Sequence, residues 1–325
     1  MLNLKDFTHF DVINNIVFGG AGFLGSHLID SLLKSGENVL CIDDLSSGNL
    51  SNLSLAMNYK EFMFLKHDIL EPIFFKKKIE KIWHLACPAS PKIYQNDPLR
   101  TIRINYEGTI NILNLAKRHN SKILFTSTSE IYGITSTNPQ FESMPVNLST
   151  FSPRACYSEG KRIAETLIST FREVNQLDTR IARVFNAYGP RLNINDGRVI
   201  GNFIKQCRSK ENLTIYGDGS QTRSFCYVSD IIEGLIKLMD SDYCYPINIG
   251  NDQEISIIEL ANLIKSKINK KIGFEFCDLP FDDPKFRKPS LDKIKKIFNW
   301  YPKIYLSEGL NKTISFYLEK YDKKN

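Results

Sequence analysis

Paired cysteines are missing from this chain. Its seven cysteines are scattered, and no two stand in a Cys-x-x-Cys spacing. That argues against a zinc ribbon or a disulfide framework, and reduced thiols in a cytosolic protein are expected. Histidine is also scarce. The five present make no metal-ligand spacing with one another or with cysteine, so no metal is expected. No apolar stretch approaches the roughly 20 residues of a membrane span. Residues 1–14 lack a basic segment followed by an apolar one, so no signal peptide is expected. Repeats and low-complexity tracts are absent. So is a strong charge of one sign. Lys and Arg number 42 against 36 Asp and Glu, a formal net charge of +6, and the basic residues are spread along the chain. No nucleic-acid partner is expected from this; a small anionic substrate suits it better. The run Lys76-Lys77-Lys78 reads as a solvated face before a strand.

What is present is enough for a large core: 325 residues, 42% hydrophobic and 24% charged, as in an ordinary soluble protein. Residues 15–18 form an apolar run that reads as a buried strand. It leads into Gly19-Gly20-Ala21-Gly22-Phe23-Leu24-Gly25 and a helical pattern through residue 35. Gly19 permits a tight turn, Gly22 lets a diphosphate approach the backbone, and Gly25 lets helix and strand pack closely. The helix then points free amides at the phosphates. The next strand, 38–42, ends at Asp43-Asp44. An acid there suits the adenine ribose hydroxyls and repels a 2′-phosphate, and no Arg follows at once, so NAD is expected rather than NADP.

Strands are expected at 61–66, 82–85, 122–127 and 179–185, with helices at 101–119 and from residue 157 to 175. Strand and helix are read as alternating six times, which predicts a doubly wound parallel α/β sheet. Ligands bind at the carboxyl ends of such strands. Those ends carry Asp68, the small-residue loop Ala86-Cys87-Pro88-Ala89-Ser90-Pro91, Thr128-Ser129-Glu130 and Asn186. Beyond residue 188 the pattern loosens. Helices are expected at 199–208, 230–239, 256–268, 290–298 and 306–318, and short strands at 213–216, 223–228 and 245–249. The helix at 256–268 carries a capping-box pattern, Ser256 with Glu259. Residues 282–289 read as a polar loop. The expected division is a dinucleotide-binding domain over 1–187, with segments near 224–250 returning to it, and a smaller substrate lobe over 188–325.

Tyr157 and Lys161 stand four residues apart, on one face of a helix. An ammonium beside a phenol favours the phenolate, so this pair can take a proton from an alcohol as it is oxidised. A Tyr-x-x-x-Lys spacing alone is a weak signal; the glycine loop upstream strengthens it.

Longer stretches carry a resemblance. They are His84-Leu85-Ala86-Cys87-Pro88-Ala89-Ser90-Pro91, Thr126 through Gly133, Pro153-Arg154-Ala155-Cys156-Tyr157-Ser158-Glu159-Gly160-Lys161-Arg162, Asn195 through Val199, Gln221 through Phe225, and Asp283-Pro284 with Arg287-Lys288-Pro289. From residue 15 to about 317 the chain resembles the extended short-chain dehydrogenases/reductases that act on nucleotide sugars, and among them the UDP-glucuronate decarboxylases. It departs from their usual pattern at Ser158 (Asp), Phe18 (Thr or Ser), Ile104 (Thr) and Ala187 (Thr).

The resemblance implies a closed redox cycle on tightly held NAD. Tyr157 would take the 4-hydroxyl proton, Lys161 would lower the tyrosine pKa and hold the nicotinamide ribose, and Thr128 or Ser129 would bond the 4-oxygen. Glu130 would manage the C5 proton, and Arg287 would meet the C6 carboxylate or clamp the UDP phosphates. Cofactor contacts are implied for Phe23, Leu24, Ser46, Ser47, Gly48, Asp68, Ile69, Leu85, Cys87 and Arg198. Nucleotide-sugar contacts are implied for Arg103, Asn186, Val199, Tyr216, Gln221 and Arg223. Similar proteins pair two helices with their copies in a four-helix bundle. A homodimer is therefore expected through the helices at 101–119 and 157–175, which are apolar on more than one side. Competing readings are a UDP-sugar 4-epimerase, a 4,6-dehydratase, for which Ser129 lacks the leaving-group acid, and a non-catalytic NAD-binding sensor.

Overall fold

The computed structural model describes residues 10–279 and 283–322. Residues 1–9 of the leader expectation and Asp282 of the expected 282–289 loop lie outside them. None of the described helices is long and apolar enough to cross a membrane.

The first half alternates buried strands with connections. In order come β1 (Val12–Phe18), α1 (Phe23–Lys34), β2 (Val39–Asp43), β3 (Phe62–Lys66), β4 (Lys78–His84), α2 (Pro91–Tyr94), α3 (Pro98–Arg103), α4 (Thr109–His119), β5 (Lys122–Thr128), α5 (Ala155–Asn175) and β6 (Thr179–Val184). The second half adds β7 (Ala187–Tyr188), α6 (Val199–Ser209), β8 (Leu213–Tyr216), β9 (Thr222–Ser224), β10 (Cys226–Tyr227), α7 (Val228–Asp240), β11 (Ile247–Ile249), β12 (Glu254–Ser256), α8 (Ile257–Ile268), β13 (Phe274–Cys277), β14 (Phe286–Arg287), α9 (Asp292–Phe298) and α10 (Leu306–Asp322).

Seven strands form one parallel sheet in the order β11-β6-β5-β4-β1-β2-β3. Successive residues of a strand face opposite layers. In β1, Val17 packs with Leu28 and Ile231 on the α1 and α7 side, while Ile16 packs with Ile112 and Ile168 on the α4 and α5 side. Burial on both faces explains why these strands read as nearly continuous apolar runs.

The strict alternation of strand and helix is not observed. Two short 3-10 turns, Leu50–Leu53 and Ala56–Asn58, connect β2 to β3, and β4 follows β3 without a helix. The connecting segment is rich in Ser and Asn, which bond their own backbone in preference to a helix. Asn49, for example, accepts from the Ser51 amide at 2.9 Å.

The helix expected at 101–119 starts earlier, at Pro98, behind the cap Asp97, which accepts from the Arg100 amide at 3.0 Å. A π-helical turn, Ile104–Gly108, interrupts it. There Asn105 lies against Gly160 of α5, where a Cβ would stand 2.9 Å from the Asn105 amide nitrogen. Hydrophobic spacing carries no signal for such a turn.

Three further differences concern the second half. The strand expected at 223–228 is two strands, β9 and β10. The 282–289 loop contains β14, which pairs with β9 and buries Arg287 to 5% exposure. β7, β12 and β13, of two to four residues each, are too short for a hydrophobic period to mark them and are not expected from the sequence. The Ser256–Glu259 capping box is present as expected. β11 brings a segment of the second half into the main sheet beside β6.

Gly25 tests the helix–strand approach. A Cβ there would stand 2.7 Å from the Gly20 Cα and press on the Gly19 carbonyl oxygen. Gly25→Ala is expected to lose about 1–3 kcal/mol of stability in urea denaturation, the usual cost of overpacking.

Candidate active site

The carboxyl ends of the sheet strands open on a cavity of about 1040 Å³ that runs on to β8, β9 and β14. That is at the upper end of the roughly 300–1,000 Å³ of small-molecule sites, so it has room for a large ligand. Every residue given a catalytic, cofactor or substrate role from the sequence lines it, Arg103 excepted. Arg103 points to the surface, where it pairs with Glu107 at 2.8 Å. Its i,i+4 acidic neighbour on the outer helix face claims it, so a direct substrate contact is not supported.

At one end lies the glycine loop. Gly19 has φ +79°, and a Cβ there would stand 2.7 Å from the Ala86 amide nitrogen. The first turn of α1 has no side-chain cap and no acidic residue, so its amides remain available to an anion. Asp43 accepts from the Ala21 amide at 2.9 Å and the Leu45 amide at 2.8 Å. Burial pushes its carboxyl above the ordinary value despite these bonds. Gly48 packs on the same carboxylate, where a Cβ would come within 2.9 Å. A cradle of backbone amides that excludes side chains, with an acid beside it, fits a dinucleotide.

Arg100 reaches this end from α3. It donates to Asp44 at 2.8 Å and to Asp68 at 2.7 Å. Burial works against the Asp68 carboxylate, but the Leu70 amide and Arg100 outweigh it and hold its pKa below the ordinary value. No arginine follows Asp44 closely in sequence; the fold supplies one from 56 residues away.

Tyr157 and Lys161 occupy the middle, on the inner face of α5. Both are buried, at 5% and 3% exposure. Burial raises the Tyr157 phenol well above its ordinary value, opposed by a hydrogen bond with Thr128. The Lys161 ammonium donates to the Thr126 carbonyl at 2.8 Å and lies 4.4 Å from the Phe125 ring centre. Burial lowers its pKa. The two groups share a face as expected, and desolvation, the largest influence on each, disfavours the charged form of both. Thr128 holds the end of β5 by accepting from the Glu130 amide at 3.2 Å.

Beyond them, three arginines meet two acids. Arg287 donates to the Ser129 carbonyl at 2.6 Å. Arg154 meets Glu130 at 3.4 Å and Asp283 at 3.5 Å, and Arg223 donates to Asp283 at 2.7 Å. Burial lowers the pKa of Arg287; Glu130 opposes this, while Arg223 and Arg154 add to it. Farther out, Asn186 donates to the Ser224 carbonyl at 3.2 Å and Gln221 to the Tyr216 carbonyl at 2.8 Å. The Tyr216 side chain is half exposed. Arg198 donates to the Ala89 carbonyl at 3.1 Å, tying the small-residue loop to the segment before α6.

The sequence assigns no role to three side chains at or beside the site. Arg154 precedes Tyr157 by three residues, the spacing that puts both on one helix face, so a signal was available. Tyr94 and Arg100 gave none. The Tyr94 ring stacks on Tyr157 with centres 4.9 Å apart and planes 3° apart. Its hydroxyl is buried and has no hydrogen-bond partner among the described residues.

Residues 15–250 match the NAD dependent epimerase/dehydratase family. The chain is 47% identical over 296 residues to UDP-glucuronic acid decarboxylase 6 of Arabidopsis thaliana, covering 91% of this chain and 86% of that one. It is 43% identical over 302 residues to UDP-glucuronic acid decarboxylase 1 of Xenopus tropicalis, covering 93% and 71%. Among solved structures it is similar to UDP-glucuronic acid 4-epimerase from Bacillus cereus in complex with UDP-glucuronic acid and NAD. That likeness has a TM-score of 0.84 at 27% identity, covering 95% of this chain and 100% of that one.

The stack on Tyr157 separates ring from hydroxyl. Tyr94→Phe keeps the ring and is expected to change folding stability by less than about 1 kcal/mol, because its hydroxyl has no bond to lose among the described residues. Tyr94→Ala is expected to lose about 3–5 kcal/mol, as large-to-small aromatic changes in cores do. Urea denaturation of both variants measures the difference.

Proposed function

This chain belongs to the NAD dependent epimerase/dehydratase family, and we propose that within it the chain converts UDP-glucuronate to UDP-xylose by NAD-dependent decarboxylation. Bound NAD⁺ would supply a hydride acceptor and donor for C4 and a positive charge that favours the Tyr157 phenolate over the phenol. Tyr157 accepts the 4-hydroxyl proton, with Thr128 bonded to it. Lys161 holds the strand end through Thr126 and places positive charge behind the tyrosine. Oxidation at C4 makes the C6 carboxylate β to a ketone, so loss of CO₂ leaves a stabilised enolate. Glu130 handles the proton that returns to C5.

One observation carries the choice of decarboxylation. The Arg287 guanidinium is buried and fixed to the Ser129 carbonyl, just past Thr128 at the end of β5 and next to Glu130 in the turn that follows. A cation so near the reacting end suits a substrate with a carboxylate at C6. A dehydratase needs a proton donor for a leaving hydroxyl, where this chain has Ser129. A 4-epimerase would share the rest of the site but release no CO₂. A non-catalytic sensor would not need the Tyr157–Lys161 pair.

We also read residues 1–187 as the cofactor-binding part, with β11 returned to it, and 188–325 as mainly the nucleotide-sugar lobe. Asn186 and Arg223 serve the diphosphate in this reading, and Tyr216 serves the uracil. The free cysteines support a reducing, cytoplasmic setting. A homodimer through α3–α4 and α5 is supported by Ile102, Tyr106 and Ile163, which are 45%, 46% and 39% exposed. Leu113 and Ile168 of the same helices are fully buried against their own sheet. Each helix is therefore apolar on two sides, and the outer side needs a partner.

Release of labelled CO₂ from UDP-glucuronate in single turnover tests the reaction. Tyr157→Phe is expected to slow it by roughly 10²–10⁴-fold, the usual worth of a positioned acid–base group. Arg287→Ala and Glu130→Gln should each slow release more than they weaken UDP binding. An absence of CO₂ with interconversion at C4 would instead identify an epimerase. For the assembly, light scattering at micromolar concentration is expected to give twice the 37.3 kDa chain mass; a monomer there would refute the dimer.

A further inference from the structure

The two oxygens of Asp283 go to different arginines. Oδ2 accepts from Arg223 at 2.7 Å, and Oδ1 meets Arg154 at 3.5 Å. All three residues line the cavity. A carboxylate in the wall of a site for an anionic substrate is at first sight misplaced, since it repels what the arginines attract. Without it, however, Arg154, Arg223 and Arg287 would crowd one largely desolvated region with Glu130 as their counter-charge among the described residues. Buried like charges of that kind are costly unless paired.

We propose that Asp283 holds the place of a substrate oxyanion between Arg154 and Arg223 and gives up both contacts when that oxyanion arrives. The inference rests on the nucleotide-sugar reading above. Arg223 comes from β9, on the nucleotide side, while Arg154 also touches Glu130 at the reacting end. The carboxylate therefore lies between the two anionic parts of a UDP-uronate, its diphosphate and its C6 carboxylate. Either is an oxyanion that a pair of guanidinium groups binds well. The uneven contacts, one short and one long, leave the Arg154 side the weaker.

The role has a consequence for specificity. Each ligand must compete with an internal carboxylate, so binding favours the ligand with more negative charge at this point. If the C6 carboxylate is the competitor, loss of CO₂ removes it. Asp283 can then return to its arginines, and the neutral pentose is held less firmly than the acid was. The same residue would then distinguish substrate from product.

Calorimetric titration with UDP, UDP-xylose and UDP-glucuronate, made in the NAD-loaded Tyr157→Phe background so that the reaction adds little heat, tests this apart from turnover. Asp283→Asn keeps the shape and removes the charge. It is expected to tighten UDP-glucuronate binding by roughly tenfold, the order of one displaced charge-assisted hydrogen bond. Equal tightening of all three ligands assigns the displaced position to the diphosphate. Tightening confined to UDP-glucuronate assigns it to the carboxylate. Unchanged or weaker binding of all three overturns the proposal and makes Asp283 a permanent brace for the arginines. Asp283→Ala, measured alongside, must tighten in the same direction, and NAD retention by both variants verifies the fold. If the protein binds UDP-glucuronate without releasing CO₂, the functional reading fails while the affinities still decide the role of Asp283.

Discussion

Parallel strands β1 and β4 lie side by side, with Phe18 opposite His84, yet the chain leaves them in opposite directions across the sheet. β2 and β3 continue to one edge, and β5, β6 and β11 to the other. The reversal leaves a gap at the carboxyl ends that no crossover fills. Into it the glycine loop turns, and into it the first turn of α1 points amides that no side chain caps. The other features of the site depend on that gap: Asp43 and Asp68 arrive on one flank, and Thr128 and Tyr157 on the other. Gly19 has no room for a side chain there, because a Cβ would strike the Ala86 backbone.

Burial sets the electrostatics there. It raises the Tyr157 phenol, lowers Lys161 and lowers Arg287. Each shift disfavours the charged form, the expected result of removing ionisable groups from water. What remains charged is pinned by short bonds, Arg287 to the Ser129 carbonyl and Lys161 to the Thr126 carbonyl. Both bonds go to the end of β5. That strand end is therefore the shared support of the proposed acid–base pair and the proposed carboxylate cation, although the residues involved come from β5, α5 and β14.

The second half of the chain adds charge and closure to this frame. β9 and β14 pair in parallel with Arg223 opposite Arg287, which puts two cations from distant segments side by side. Such an arrangement is stable because acids are interleaved. Glu130 comes from the end of β5, and Asp283 lies just before β14. Arg154 bridges them across the cavity. The line of ion pairs from Glu130 to Arg223 joins the first half of the chain to the second through the site itself.

Local pattern alone determined much about this protein. The apolar runs, the spacing of Gly19, Gly22 and Gly25, the acid at the end of β2 and the Ser256–Glu259 cap each act over a few residues, so their meaning is legible without the fold. Tyr157 and Lys161 are legible for the same reason, being one helical turn apart. Tertiary structure decided what depends on long-range approach. Arg100 met Asp44 and Asp68, Tyr94 stacked on Tyr157, Arg287 left an expected loop for a buried strand, and Arg103 turned to the surface. It also decided the sign of the Tyr157 shift. A lysine four residues away is visible in the sequence, but the loss of water around a buried phenol, which raises its pKa, is not.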